Sequence, residues 1–138
     1  MISEYSVKDI DEINNLGSKL NPNFTKLFHV DNLNKGEMIY VYKDNNKVVA
    51  FIHISINYEV VDLLNIIVDS EYRNKNIATL LMDYMIGLLP IDTKKILLEV
   101  NKNNERAIRL YNKFNFKVIN IRKKYYNGED ALIMERIL

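Results

Sequence analysis

A chain of 138 residues with no cysteine and only two histidines, His29 and His53, has few ways to do chemistry. It offers no thiolate nucleophile and no zinc site built on sulfur, and two isolated imidazoles do not make a His-rich metal site. Carboxylates, phenols, cationic side chains and the backbone remain. The most suggestive grouping of these lies in Asp62 to Leu81, DLLNIIVDSEYRNKNIATLL. Leu63, Leu64, Ile66, Ile67 and Val68 form the near-continuous apolar run of a strand buried on both faces. A polar loop, Asp69 to Lys75, follows. Ile77, Leu80, Leu81, Tyr84, Met85 and Leu88 then recur at helical steps. Arg73, Lys75 and the amides of Asn74 to Ala78 fall at the junction. Unpaired amides and a positive dipole end make a helix N-terminus an anion site, which two cations strengthen. The bland alternative is a charged helix start, since every α/β protein contains several strand–loop–helix units.

Two further side chains have useful chemistry, each with a plainer reading. Glu99 ends the apolar run KILLEV, Lys95 to Val100, where a carboxylate can take up a proton. By residue type alone it is better read as a strand-end glutamate facing solvent or paired with Lys or Arg. Tyr111 carries a phenol that is protonated at neutral pH and able to donate, yet it also fits a core aromatic at helical spacing. Asn104 precedes a helical pattern, where Asn favours the N-cap. His53, inside an apolar strand, reads as a satisfied structural histidine.

The elements that hold these residues can be read in order. Ile2 to Ser6 predicts a short strand. Ile10, Ile13, Leu16 and Leu20 mark one face of a helix, with Asp9, Asp11 and Glu12 near its positive end and Gly17 weakening it. Asn21-Pro22 breaks that helix, and Phe24, Leu27 and Phe28 suggest a second short one. Met38 to Lys43 and Lys47 to Asn57 are strands joined by Asp44-Asn45-Asn46, a hairpin turn. After the central strand and helix, Leu89-Pro90 ends the helix and Lys95 to Val100 is another buried strand. Ala107, Ile108, Leu110, Tyr111 and Phe114 trace a helix from Asn104 to about Asn115. Phe116 to Arg122 and Asp130 to Ile137 read as a final strand pair around Asn127-Gly128. The order β-α-α-β-β-β-α-β-α-β-β is mixed α/β, and residues 1–138 read as a single domain.

Composition narrows the class. Apolar residues make up 48% and charged residues 27%, as in soluble globular proteins, and 19 Lys and Arg against 18 Asp and Glu leave a net charge of +1. No global field therefore favours nucleic acid or an anionic membrane. The N-terminal stretch MISEYSVKDIDEI lacks the pattern of a signal peptide, and no run approaches the roughly 18 apolar residues that span a bilayer. The expected location is cytoplasmic, with no nucleic-acid or membrane partner, as a monomer or homodimer.

The junction motif resembles the acetyl-CoA-binding motif of the GCN5-related N-acetyltransferases, Arg/Gln-x-x-Gly-x-Gly/Ala, which here reads Arg73-Asn74-Lys75-Asn76-Ile77-Ala78. Asn76 replaces the first glycine, and Asn is one of the few residues that reach left-handed backbone angles at modest cost. Leu98 to Phe116 is similar to the longer family pattern L-E-V-R-x-x-N-x-x-A-x-x-L-Y-x-x-x-G-F, with Asn101 in place of Arg and Asn115 in place of the helix-ending Gly. Ile121 to Met134, IRKKYYNGEDALIM, resembles a segment of the protein α-N-terminal acetyltransferases.

The resemblance implies a central mixed twisted sheet of about seven strands flanked by about four helices, and acetyl-CoA as co-substrate without a metal. It implies Glu99 as general base and Tyr111 as general acid. It assigns the cofactor to Ile66, Ile67 and Val68 through their backbone, with the Val68 amide near the thioester carbonyl. Arg73, Asn74, Lys75, Asn76, Ile77, Ala78 and Thr79 form the phosphate loop, and Asn104 contacts the pantetheine arm. It assigns the acceptor peptide to Tyr125 and Tyr126, and the helix–loop–helix before the first hairpin to the acceptor wall.

The reading reached is direct acetyl transfer to a primary amine, a protein N-terminal α-amine being preferred. A small-amine acetyltransferase shares the cofactor half and differs in the acceptor wall. A non-catalytic acyl-CoA sensor needs neither Glu99 nor Tyr111. A nucleic-acid module would use Arg122-Lys123-Lys124-Tyr125-Tyr126, a short basic run beside aromatics.

Overall fold

The computed structural model describes residues 1–125 and 128–138, with the side chains of Lys124 and Tyr125 excluded. Seven strands form one sheet in the order β1-β2-β3-β4-β5-β7-β6: β1 Ile2–Glu4, β2 Glu37–Asp44, β3 Lys47–Asn57, β4 Val60–Val68, β5 Lys95–Asn101, β6 Lys117–Tyr125 and β7 Glu129–Ile137. Four α-helices accompany them: α1 Ile10–Leu20, α2 Phe24–Leu27, α3 Ile77–Gly87 and α4 Glu105–Lys113. The pair β4–β5 is parallel, whereas β1–β2, β2–β3, β5–β7 and β6–β7 are antiparallel. The element order is the one read from the sequence. By packing, the chain falls into two compact units, Met1–Ser55 with Asn65–Leu89, and Ile56–Leu64 with Pro90–Leu138.

In the first unit, Ile13, Leu16, Phe24, Val30, Ile39, Val41, Val48, Phe51 and Ile67 form one apolar cluster. Asp9, expected near the positive end of α1, is buried. Its carboxylate takes Lys43 Nζ at 2.8 Å and the Ser6 amide at 2.9 Å. Burial alone would raise its pKa, but the Lys43 contact and the Ser6 amide outweigh that and hold it below the usual value. The β2–β3 turn has Asn45 and Asn46 both at positive φ, 50° and 63°, the two-residue hairpin geometry that matches strand twist.

Three details differ from the sequence reading. Leu64 is 37% exposed, so β4 is not buried on both faces. On α3 the buried line is Ile77, Leu81, Met82 and Met85, while Leu80, Tyr84 and Leu88 face outward. Both stripes are apolar, so periodicity alone could not choose between them; packing of Met82 into the interior decides. Leu20 is likewise exposed at the end of α1.

Gly17 has a purpose that propensity hides. A Cβ there would lie 2.6 Å from ring atoms of Phe24, so α1 can pass Phe24 only without a side chain. In an unobstructed helix Gly→Ala would stabilise by about 0.5–1 kcal/mol. Here Gly17→Ala should instead destabilise by about 1–3 kcal/mol through overpacking, read as a lower denaturant midpoint. A raised midpoint would show that Phe24 yields freely.

Candidate active site

The stretch expected to bind an anion, Arg73 to Thr79, lies wholly in the first unit. Asp69 leaves β4 with its amide bonded to the Val49 carbonyl at 2.8 Å, and its own carboxylate accepts the Glu71 amide at 3.0 Å. Tyr72 donates its hydroxyl to Asp44 at 2.9 Å and carries Lys75 over its ring at 5.1 Å. The chain then turns through Asn74 at φ 64° and Asn76 at φ 61°, both left-handed. Asn76 therefore adopts the conformation for which Gly is usual, and does so as the N-cap of α3 without a capping bond from its side chain. The first amides of α3 have no intrahelical carbonyl to bond, and its first turn carries no acidic residue. Arg73 makes no ion pair among the described residues. Amides, a positive dipole end, Arg73 and Lys75 thus suit a phosphate-bearing ligand.

A second, polar device of the same unit is closed. His53 is fully buried, with Nε2 2.7 Å from Glu37 Oε1 and Nδ1 3.2 Å from Asn65 Nδ2. An amide nitrogen can only donate, so Nδ1 accepts and the proton sits on Nε2. Burial lowers its pKa against the opposing pull of Glu37. Both ring nitrogens are satisfied, as the structural reading of His53 requires.

The second unit carries Glu99 and Tyr111. The parallel ladder runs from Val60↔Lys95 to Leu63↔Leu98, and β4 continues beyond it through Ile66, Ile67 and Val68, whose backbone edges lie outside that ladder. Residues opposite each other share a face and neighbours alternate. Asp62, Leu64, Leu97, Glu99 and Ile133 therefore face one way. Val61, Leu63, Ile96, Leu98, Val100 and Met134 face the other and are buried. The first face forms an open groove of about 400 Å³ lined by Asp62, Leu64, Leu97, Glu99, Arg122 and Ile133 among others.

Glu99 is not a lone base in this groove. Its Oε1 lies 3.1 Å from Arg122 Nε, the ion-paired arrangement that its residue type suggested. Arg122, which the sequence offers as part of a basic run, is engaged there. Tyr111 is buried on α4, its ring tilted against Phe116 at 5.7 Å, and burial pushes its phenol up to about 12. It stays protonated through the neutral range. Among the described residues no hydrogen bond joins Glu99 to Tyr111.

Asn104 is the N-cap of α4, accepting the Ala107 amide at 3.2 Å through Oδ1, which leaves its Nδ2 unpartnered among the described residues. Asn101 accepts the Asn103 amide at 2.8 Å and donates to Glu129, shaping the turn into α4. Asn115 ends α4 at φ 66°, where Gly is usual. The side chain of Tyr125, and Tyr126 altogether, lie outside the described residues. Asp62 is a groove residue that sequence reasoning passed over, and Arg122 one it read only as part of a basic run; strand alternation through Asp62 and Leu64 was the available signal. Among the described residues no three His, Asp or Glu side chains form a metal-type cluster.

The seven-stranded mixed sheet with its four α-helices is the fold of known N-acetyltransferases. Residues 6–116 match the acetyltransferase (GNAT) family, and the chain belongs to it, as an acetyl-CoA-dependent N-acetyltransferase. It is 34% identical over 147 residues to the N-alpha-acetyltransferase of Saccharolobus solfataricus, covering 94% of this chain and 88% of that protein. It is 32% identical over 108 residues to the ribosomal protein bS18-alanine N-acetyltransferase of Escherichia coli, covering 73% of each. The crystal structure of the ribosomal-protein-S18-alanine N-acetyltransferase from Escherichia coli superposes with a TM-score of 0.89 at 25% identity, over 99% of this chain and 92% of that one.

Arg73→Ala, which removes a charge-assisted contact, should raise the apparent KM for acetyl-CoA about tenfold. An unchanged KM in initial-rate assays would take the phosphates away from this loop. With Tyr111 titrating near 12, alkaline inactivation should not set in below about pH 10. The folded pKa is raised, so any stability this burial contributes is complete below the unfolded value of 10.0 and is lost as pH rises toward about 12. A fall in turnover near pH 8 to 9 would exclude Tyr111 as its source.

Proposed function

We propose that this enzyme acetylates protein N-terminal α-amines by direct transfer from acetyl-CoA, with residues 1–138 acting as one N-acetyltransferase domain. The observation that carries this is similarity across nearly the whole chain to a protein named N-alpha-acetyltransferase, with a second relative named for an alanine N-terminus. The geometry agrees with it. The groove is open, lined by aliphatic side chains with two carboxylates and one guanidinium, which suits a small apolar first residue carrying an amine.

Acetyl-CoA would supply the acetyl group as a thioester. Arg73, Lys75 and the amides of Asn74 to Ala78, with Thr79 in the first helical turn, would hold its phosphates. The backbone of Ile66 to Val68 and the Nδ2 of Asn104 would meet the pantetheine amides. Glu99 would accept the proton of the attacking amine, directly or through a water, while Arg122 keeps its carboxylate oriented. The Val68 amide would face the developing oxyanion. As the new C–N bond forms and the C–S bond breaks, Tyr111 would give its phenolic proton to the departing sulfur. Tyr125 and Tyr126 would border the acceptor peptide.

Small-amine acetylation is the second reading, because acceptor choice rests on loops that vary on one fold. Release of CoA, followed with a thiol-reactive dye, separates the two; the enzyme itself has no cysteine to react. Peptides with free Ala, Ser or Met N-termini should turn over. Their N-blocked counterparts with an internal Lys, and small amines, should not. Turnover with small amines alone would reverse the assignment. Tyr111→Phe should lower kcat on the good peptide about a hundredfold; wild-type turnover would remove Tyr111 from the reaction.

A further inference from the structure

The groove of the second unit holds three charged side chains, and their partners are unequal. Glu99 is compensated by Arg122 at 3.1 Å. Asp62 accepts only the neutral amide of Asn57, at 3.1 Å, and no cation lies within ion-pair distance of it among the described residues. The rest of the lining that faces the groove is aliphatic, Leu64, Leu97 and Ile133. Among the described residues, the groove therefore carries one uncompensated negative charge beside an apolar wall.

We propose that Asp62 is a second acceptor-binding carboxylate, which receives the incoming ammonium and delivers the amine toward Glu99. The inference rests on the reading that this groove takes the acceptor. An α-amine with a pKa of about 8 arrives at neutral pH mostly as the ammonium. It must be bound in that form before it can lose a proton. A carboxylate already satisfied by a guanidinium attracts a second cation weakly, whereas one facing only a neutral amide retains its full charge. Register sets the spacing: Asp62 opposes Leu97, two residues before Glu99 on the same face. Strand geometry places the two backbones about 8 Å apart, so a single amine can pass from one carboxylate to the other by a short displacement. The same pairing selects acceptors: a cation followed by a small apolar group is favoured, and an acidic residue close behind the amine is disfavoured.

The test is steady-state kinetics on a free-Ala peptide with Asp62→Asn, which keeps the size of the side chain and an oxygen for Asn57. The acceptor KM should rise about tenfold, more than kcat falls, with the KM for acetyl-CoA unmoved. Asp62→Glu, which restores the charge, should recover much of the acceptor KM. An acceptor KM within twofold of wild type in Asp62→Asn, while Glu99→Gln lowers turnover, would overturn the role of Asp62 and leave the groove reading standing. Equal rises in both KM values would also overturn it, marking general distortion. If Glu99→Gln too were without effect, the groove itself would be misassigned and the inference would fall with it.

Discussion

The arrangement depends on how β4 is paired. Its first residues join β5 in a parallel ladder of four pairs, Val60↔Lys95 to Leu63↔Leu98, and it then runs on to Val68 outside that ladder. Because side chains alternate, this register fixes which residues of β4, β5 and β7 face the groove and which are buried. A slip of β4 by one residue would turn Asp62 inward and Leu63 out. Burying uncompensated carboxylates costs several kcal/mol each, so the chemistry of the groove and the stability of the sheet demand the same register. Val61, Leu63, Ile96, Leu98, Val100 and Met134, all buried, hold it there.

The backbone after β4 is governed by a different constraint. The chain has only 4 glycines, yet it makes left-handed turns at Asn45, Asn46, Asn74, Asn76 and Asn115. Asn reaches this region more cheaply than other side chains because its short amide can bond locally. At Asn76 the left-handed conformation opens α3, and the side chain makes no capping bond. At Asn115 the same conformation ends α4. Asparagine in place of glycine in this family motif thus keeps the left-handed backbone while adding a side-chain amide.

Much of this was legible in the sequence. Element order, the β2–β3 turn, the start of α3 after Asn76 and the capping role of Asn104 all follow from local rules, which act over a few residues and need no tertiary partner. The burial of Tyr111 was equally visible in its spacing on α4. What failed was face selection on α3, where two apolar stripes compete, and on β4, where a run of apolar residues includes the exposed Leu64. Gly17 was read as a weak point in α1, when it is a clearance for Phe24.

The sequence by itself determined the elements and the two loop motifs, because periodicity, caps and turns are written in neighbouring residues. Only the tertiary structure decided their environments. It paired Glu99 with Arg122, residues on strands that never share a local window. It gave Lys43 to Asp9 and Glu37 to His53, and set Asp62 in the groove with only the Asn57 amide as a partner among the described residues. Charge compensation is a property of distances between remote segments, and those distances exist only once the strands have taken their register.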